Sequence, residues 1–229
     1  IPLRLADTPS FTSFPGENGV VRYGEGIFVG YRWYDTRQMP VGFPFGHGLT
    51  YTTFRIDDVA ATASGTGAQT QIEVTARVTN TGERSGSEVV QVYIADPESS
   101  VSRPDQELKA FTKVHLAPGE SREVSFTLNS RALAFWHTGF AAWKVESGQF
   151  DVRVGTSSRA IATEVSIAVE GESLHLPISE LTTVSELADH PASAAPIGPR
   201  LRDVPADMAA MAGDMPAIVA VDFGIGLLT

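Results

Sequence analysis

Alternation of apolar and polar residues with a period of two constrains this chain more than any other feature of its sequence. Between about residues 52 and 170, apolar side chains recur at every second position within short runs. Because successive side chains of a β-strand point to opposite faces, such runs predict strands with one dry and one wet face, as in antiparallel sheets. The clearest runs are 72–78, 90–94, 124–128, 150–154 and 165–169.

Turn signals separate these runs: Asn80-Thr81-Gly82, Pro118-Gly119, Glu146-Ser147-Gly148 and Gly155-Thr156-Ser157. Glycine, proline and short polar residues favour the backbone angles that tight turns require. About seven short strands over roughly 100 to 120 residues are typical of an immunoglobulin-like or fibronectin type III-like sandwich. The chain has no cysteine, which favours the fibronectin type over a disulfide-bridged antibody domain.

Composition excludes several classes of function. The lack of cysteine rules out disulfides, thiolate metal sites and a cysteine nucleophile. A formal net charge of −10 argues against a nucleic-acid partner, because counterion release needs clustered Lys and Arg. No apolar run approaches the roughly 18 residues of a membrane-spanning helix. The chain starts at Ile1 with no signal-peptide pattern, so we expect a piece of a larger protein and favour a cytoplasmic location.

The first 50 residues have a different character, because they are rich in aromatic side chains and glycine. Within them, Ile27, Tyr31 and Tyr34 are spaced as on one face of a short helix over 27–34. A buried strand with a weak point at Gly30 is the alternative. In either case we expect this aromatic surface to complete the core of another domain.

The composition changes again after about residue 175. Thr183 and Glu186 are spaced as a capping box, which predicts a short helix that Pro191 ends. The prolines between 191 and 205 predict a loop, and residues 207–212 predict a second short helix that stops at Gly213.

Motifs that carry catalytic or metal chemistry are lacking. The chain has neither a phosphate-binding glycine loop before a helix nor a Gly-x-Ser-x-Gly nucleophile motif. The histidines show no i, i+4 pairing on a predicted helix, so we expect no metal site and no cofactor. They are His47, His115, His137, His175 and His190.

Two sets of residues are candidates for carbohydrate chemistry. Glu25 and Asp35 flank the aromatic stretch and would be the first choices for a carboxylate pair. Buried hydrogen bonding or plain solvation is the simpler interpretation of both. Trp136, Trp143 and Tyr93 could form a sugar-stacking platform, although such residues more often belong to a sandwich core or to a domain contact.

A long ordered set of motifs resembles the C-terminal region of glycoside hydrolase family 3, best known for β-glucosidases. The first motifs are Tyr23-Gly24-Glu25-Gly26-Ile27-Phe28-Val29-Gly30-Tyr31-Arg32-Trp33-Tyr34-Asp35 and Phe43-Pro44-Phe45-Gly46-His47-Gly48-Leu49-Thr50-Tyr51. Further motifs follow the fibronectin type III-like domain of that family in order: Asn80-Thr81-Gly82, Glu88-Val89-Val90-Gln91-Val92-Tyr93, Arg103-Pro104, Glu107-Leu108-Lys109-Ala110-Phe111, Pro118-Gly119-Glu120, Trp143 and Val154-Gly155. The resemblance covers about residues 14–160. Ala110 and His137 depart from it, where the family commonly has Gly and Asp, and both departures concern turn geometry.

The resemblance implies a retaining glycosidase as the parent enzyme. Its aspartate nucleophile would lie on an N-terminal (β/α)8-type barrel and its glutamate acid/base in the following α/β sandwich domain. Both lie upstream of the matched motifs, so we assign no catalytic residue to this chain and expect it to be inactive alone. Its partners would be the N-terminal catalytic part and, through that part, a β-glucoside or other glycoside.

The expected organisation is mostly β and has three parts. Residues 1–51 would be the end of the α/β sandwich domain with a connector, residues 52–172 the fibronectin type III-like antiparallel β-sandwich, and residues 173–229 a C-terminal extension with short helices. The extension resembles that of some bacterial members. A carbohydrate-binding module is the alternative function. An unrelated adhesion sandwich is a third possibility, which would have no use for half an α/β domain.

Overall fold

The computed structural model describes residues 1–192 and 213–217, and the chain divides into two compact units, Ile1–Glu172 and Ser173–Thr229. The described chain is mostly β, as the sequence predicts. Its strands are β1 (Phe54–Ser64), β2 (Gln71–Asn80), β3 (Gly86–Ala95), β4 (Glu107–Leu116), β5 (Ser121–Asn129), β6 (Phe135–His137), β7 (Ala142–Lys144), β8 (Gly148–Ser157) and β9 (Ala160–Val169). Its helices are α1 (Tyr31–Thr36) and α2 (Val184–Asp189), with 3-10 turns at Leu5–Asp7, Gly67–Gln69 and Ser130–Ala132.

The seven long strands form the two sheets of the predicted sandwich. One sheet has the order β1-β2-β5 and the other the order β4-β3-β8-β9, with antiparallel pairing throughout. The short strands β6 and β7 form a separate hairpin, in which Trp136 and Trp143 are directly opposite each other.

The core lies between the two sheets and consists of the apolar positions that the alternation marks. Ile72, Val74 and Val78 of β2 have no exposed surface, and neither have Phe150, Val152 or Val154 of β8. Burying each such side chain contributes about 1.5–3 kcal/mol, so this core supplies most of the driving force for folding the sandwich.

Three local predictions differ from the structure. Strand β3 has no wet face over its second half, because Gln91 and Tyr93 are as buried as the apolar residues between them. Residues 155–157 lie inside β8 rather than in a turn, and Gly155 sits at an irregularity of the β8–β9 register. A glycine at such a bulge keeps the strand continuous where a turn was expected. Ala110 lies inside β4 and therefore affects no turn.

The helix of the aromatic stretch is shorter than the predicted span. Helix α1 begins at Tyr31 because Gly30 precedes it with φ of 57°, a left-handed conformation that favours glycine. Ile27 therefore lies outside the helix and is half exposed. Tyr31 and Tyr34 keep their places on its packed side.

In the second unit the predicted capping box is confirmed. The Thr183 side chain accepts a hydrogen bond from the Glu186 backbone N–H (3.2 Å), and the Glu186 carboxylate accepts one from the Thr183 N–H (2.7 Å). Helix α2 follows directly and ends at Asp189, before Pro191. The second predicted helix, 207–212, and most of the predicted proline loop lie outside the described residues. No helix in the described part of the chain is long and apolar enough to span a bilayer.

Candidate interdomain interface

Residues 31–46, called here the aromatic strap, lie across the outer face of the four-stranded sheet. The Tyr31 ring stacks on Phe45 with centroids 4.4 Å apart and meets Tyr93 of β3 edge-on at 6.2 Å. Tyr93 is thereby fully buried. Burial raises the pKa of the Tyr93 hydroxyl well above its usual value, and Tyr31 and Asp35 add to the increase, so this phenol stays neutral.

Hydrogen bonds fix the strap on the sheet at both of its ends. The Leu108 backbone N–H of β4 donates to the Tyr31 hydroxyl (2.8 Å), and the Ser158 N–H donates to the Phe45 carbonyl (2.9 Å). The Gln91 side-chain amide of β3 donates to the Gly46 carbonyl (3.1 Å). A side chain at residue 46 would collide with Gln91, and φ there is 78°, so this position requires glycine.

Arg159, in the turn between β8 and β9, holds the helical part of the strap. Its guanidinium pairs with the Asp35 carboxylate (2.7 Å) and donates to the carbonyls of Tyr34 (3.2 Å) and Met39 (2.7 Å). One guanidinium thus satisfies a charged group and two carbonyls near the end of α1, which is the geometry that suits the planar donor fork of arginine.

The connector between strap and sandwich is anchored by a buried amide. Asn80, at the end of β2, accepts a hydrogen bond from the Thr52 hydroxyl (2.8 Å) and donates to the carbonyls of Arg84 (2.7 Å) and Leu116 (3.0 Å). Gly82 lies against Thr52 so closely that a side chain would clash. The predicted turn at Asn80-Thr81-Gly82 therefore also sets the path by which the chain enters β1.

The side of residues 1–51 that faces away from the sandwich is apolar and exposed. All of these residues are described by the structure, and only Tyr34 among them is buried. Tyr23 is 81% exposed, Leu49 90% and Tyr51 93%. A cleft of about 680 Å³ opens there, and its walls are largely apolar. The residues concerned include Ile1, Val41, Phe43, Phe45 and Leu49.

The predicted carboxylates Glu25 and Asp35 are both in this region but have different surroundings. Asp35 pairs with Arg159 through one oxygen, as described above. Its other oxygen, and one oxygen of Glu25, are shielded from solvent and accept no hydrogen bond from the described residues. Shielded acceptors of this kind destabilise a fold by about 1–3 kcal/mol unless a partner satisfies them.

The three aromatic residues considered for sugar stacking do not form one platform. Tyr93 is buried under the strap, so its interpretation as part of a packed contact is correct. Trp136 and Trp143 are both about half exposed on the β6–β7 hairpin, with centroids 5.5 Å apart in an edge-on arrangement. The Arg131 guanidinium lies 3.2 Å from the Trp143 ring centroid and covers one of its faces.

The five histidines are distributed over the chain without forming a metal site. Within residues 1–192 and 213–217, no three His, Asp or Glu side chains are close enough together to hold an ion. His115 shares a hydrogen bond with Ser87, His47 packs against Phe43, and His137 packs against Phe135 and Phe140. His175 and His190 meet edge-on in the second unit.

A buried ionic network beside the strap was not predicted, although all of its members except Asp96 lie in matched motifs. Arg103 pairs with Asp96 (3.0 Å) and with Glu107 (3.4 Å). Glu107 also pairs with Lys109 (3.1 Å) and with Arg32 of the strap (3.1 Å). Burial alone would raise the pKa of Glu107, but Lys109 and the two arginines outweigh it and lower that pKa. The network therefore ties α1 to β4 by charge.

Asp96 has the opposite pKa shift. Burial raises its pKa to about 6; Arg103 opposes this increase, whereas nearby Glu146 adds to it. Glu146 is itself buried and accepts hydrogen bonds from Ser99 and the Ser100 backbone (both 3.1 Å). Asp96 and Glu146 lie close together, with only Arg103 among the described residues to balance their charge. Asp96 therefore keeps its proton to a higher pH than a free aspartate does.

Sequence comparison places these observations among known proteins. Residues 88–158 match the fibronectin type III-like domain family. The chain is 49% identical over 186 residues to an exo-α-(1→6)-L-arabinopyranosidase from Bifidobacterium breve, which covers 81% of the chain and 24% of that protein. It is 41% identical over 204 residues to thermostable β-glucosidase B from Acetivibrio thermocellus, which covers 89% of the chain and 27% of that protein. The chain thus spans about a quarter of the length of these curated relatives.

Solved structures agree with the sequence relatives. The GH3 β-glucosidase of Bifidobacterium adolescentis superposes with a TM-score of 0.79 at 47% identity, covering 85% of this chain and 28% of that one. β-Glucosidase 3B of Thermotoga neapolitana, solved with glucose, gives a TM-score of 0.68 at 43% identity, covering 74% and 24%. The chain therefore belongs to glycoside hydrolase family 3 and corresponds to a C-terminal part of a β-glucosidase-type member, including its fibronectin type III-like domain.

Proposed function

We propose that this chain is the C-terminal structural portion of a retaining β-glucosidase-type glycosidase. In this proposal the sandwich carries no catalytic residue. It binds the last elements of the α/β sandwich domain through the aromatic strap, and it stabilises and orients the catalytic domains. The parent enzyme hydrolyses O-glycosyl bonds, in keeping with the names of the relatives.

The observation that carries the proposal is the two-sided character of residues 1–51. Their inner side is fixed on the four-stranded sheet by stacking, hydrogen bonds and the Arg159–Asp35 pair. Their outer side leaves large apolar side chains exposed. In the same region, one oxygen each of Glu25 and Asp35 is shielded and has no hydrogen-bond partner among the described residues. A surface of this kind fits a second body that covers it, because large exposed apolar patches on proteins mark sites of interaction.

The proposed contribution to catalysis is geometric. If the nucleophile and the acid/base come from different domains, as the family resemblance implies, their distance depends on how those domains are held. A misplacement of about 1 Å can lower a rate roughly 100-fold. If residues 1–51 contact the sandwich on their inner side and the catalytic part on their outer side, they would restrict movement between the catalytic domains.

Removal of the sandwich from the parent enzyme tests this role. Deleting residues 52–229 is expected to lower both the melting temperature and kcat, since the inner side of the strap loses its support. A milder variant, Gly46→Ala, should lower both in the same direction, because a methyl group there collides with Gln91. The matched control is Gly148→Ala in β8, outside residues 1–51, where the added methyl group makes only an ordinary contact with the Glu98 carboxylate (3.6 Å). Full activity and unchanged melting after deletion would contradict the proposal.

The isolated 229-residue chain tests the absence of catalytic residues. With an aryl β-glucoside, we expect hydrolysis at the rate of the buffer blank. Turnover that survives repeated purification and is abolished by Glu25→Gln would show that the chain has its own catalytic carboxylate.

A carbohydrate-binding module is the second candidate function, and the half-exposed pair Trp136 and Trp143 is the observation in its favour. Two features weigh against it: the indoles meet edge-on, and Arg131 covers one face of Trp143. Calorimetric titration of the chain with gluco-oligosaccharides separates the two candidates. A structural portion gives no saturable heat, whereas a binding module gives saturable heat that Trp136→Ala removes.

A further inference from the structure

A cleft beside the β6–β7 hairpin combines exposed indoles with an excess of positive charge. Its volume is about 490 Å³. Its apolar wall includes Trp136, Trp143 and Ile27, and its charged wall includes Arg32, Arg103, Glu107, Lys109 and Arg131. The cleft is called here the Arg131–Trp143 cleft.

The charges of this cleft are not balanced within the described chain. Arg32, Arg103 and Lys109 share the single carboxylate of Glu107, and Arg103 also uses Asp96. Burial and the two neighbouring guanidinium groups together lower the pKa of Lys109, although Glu107 opposes them.

Arg131 is the fourth cation of the cleft, and it is the most exposed. Its guanidinium rests on Trp143, and within residues 1–192 and 213–217 no carboxylate forms an ion pair with it. In the described part of the chain, four cations and only one carboxylate, Glu107, therefore line the cleft. Positive charge remains in excess even when Asp96 and its neighbour Glu146 are counted, and Arg131 is the cation left to attract an anion.

The geometry favours a protein segment over a sugar as the occupant. Stacking of a pyranose ring needs a free aromatic face, yet Arg131 occupies one face of Trp143 and Trp136 meets that ring edge-on. Tryptophan and arginine together are the residues most enriched at the energetic centres of protein interfaces. The cleft also includes Ile27, which belongs to the exposed apolar side of residues 1–51, so it is continuous with the surface proposed above as an interface.

We propose that the Arg131–Trp143 cleft binds a carboxylate-bearing segment of the catalytic part of the parent enzyme. The inference rests on the proposed function, because it names a second surface through which the sandwich holds that part. The partner's carboxylate pairs with Arg131 and the neighbouring cations. The apolar atoms of the same segment cover Trp136 and Trp143.

Zero-length cross-linking identifies the partner carboxylate directly. In the parent enzyme carrying Arg131→Lys, a carbodiimide should join residue 131 to an Asp or Glu outside residues 1–229, detected as a linked peptide by mass spectrometry. Lys113, an exposed lysine on β4 that does not line the cleft, is the matched internal control and should give at least tenfold less of such a product. Links from residue 131 only to carboxylates of residues 1–229, or equal yields at both lysines, would overturn the proposal.

Hydroxyl-radical oxidation separates failure of this inference from failure of the proposed function. Relative to the isolated chain, the parent enzyme should protect Trp136 and Trp143 about tenfold, along with Phe14 and Tyr23. Protection of Phe14 and Tyr23 alone would overturn the cleft proposal and leave the proposed function standing. Unchanged oxidation of all four would overturn both. Protection of the tryptophans in the isolated chain on adding cellobiose would assign the cleft to a sugar instead.

Discussion

The sandwich and the N-terminal 51 residues differ in how far their apolar side chains are buried. The sandwich encloses its own core, in which Phe150 and most of the valines of β2, β3 and β8 have no exposed surface. The N-terminal residues are just as rich in large apolar side chains, yet only Tyr34 among them is buried. From this difference we expect the sandwich to be stable by itself, and we propose that the N-terminal residues need a body on each side.

The largest expected effect comes from truncating equal side chains in the two regions. Phe150→Ala should lower the free energy of unfolding of the isolated chain by about 3–5 kcal/mol, because it removes a fully buried ring from the core. The matched control is Phe14→Ala, at a ring that is 72% exposed, which should change stability by less than about 0.5 kcal/mol. Urea denaturation of both variants checks the contrast, and equal losses would show that the N-terminal residues have a core of their own.

A pH titration should reveal the buried network that joins the two regions. Asp96 has a folded-state pKa of about 6, raised above its unfolded value near 3.8, so the folded state binds the proton more tightly. Its contribution to stability is therefore fully present below the unfolded pKa and is lost as pH rises through the folded pKa of about 6, by about 3 kcal/mol in total. Glu107 acts in the opposite sense at lower pH, because its pKa is lowered.

The variant Asp96→Asn isolates this effect. Between pH 4 and pH 6.5, unfolding free energy from urea denaturation should fall more steeply with pH in the wild type than in the variant. Parallel curves would mean that Asp96 binds its proton no more tightly in the folded state than in the unfolded state, and would contradict the raised pKa.

A smaller and local effect is expected from the cation that holds the strap. Arg159→Gln removes the pair with Asp35 and weakens the bonds to two carbonyls. Because this site is partly exposed, we expect amide exchange over residues 31–39 to accelerate about tenfold, equivalent to about 1.4 kcal/mol, with little change elsewhere. Arg122→Gln removes an exposed pair with Glu120 and is the control. Exchange that accelerates throughout the sandwich would contradict a local role.

Sequence patterns predicted the sandwich well because its alternation reflects one buried face per strand. The same rule failed at β3, where Gln91 and Tyr93 look solvent-facing but are covered by residues distant in sequence. A tyrosine and a glutamine on the polar face of one strand are the sequence signal that could have predicted a segment packed over that face. Arg159 and Asn80 could not be identified in this way, since their roles depend on backbone carbonyls that only the fold brings together.

Above all, we propose that the outer side of residues 1–51 is an interface. Tyr23→Ala tests it most directly, because Tyr23 is 81% exposed and no hydrogen bond or ring contact of its side chain is found among the described residues. Melting temperatures of this variant should be compared with wild type in two forms, the isolated 229-residue chain and the parent enzyme. We expect a shift below about 1 °C in the isolated chain and a fall of several degrees in the parent. Small shifts in both forms would contradict an interface on this side of residues 1–51.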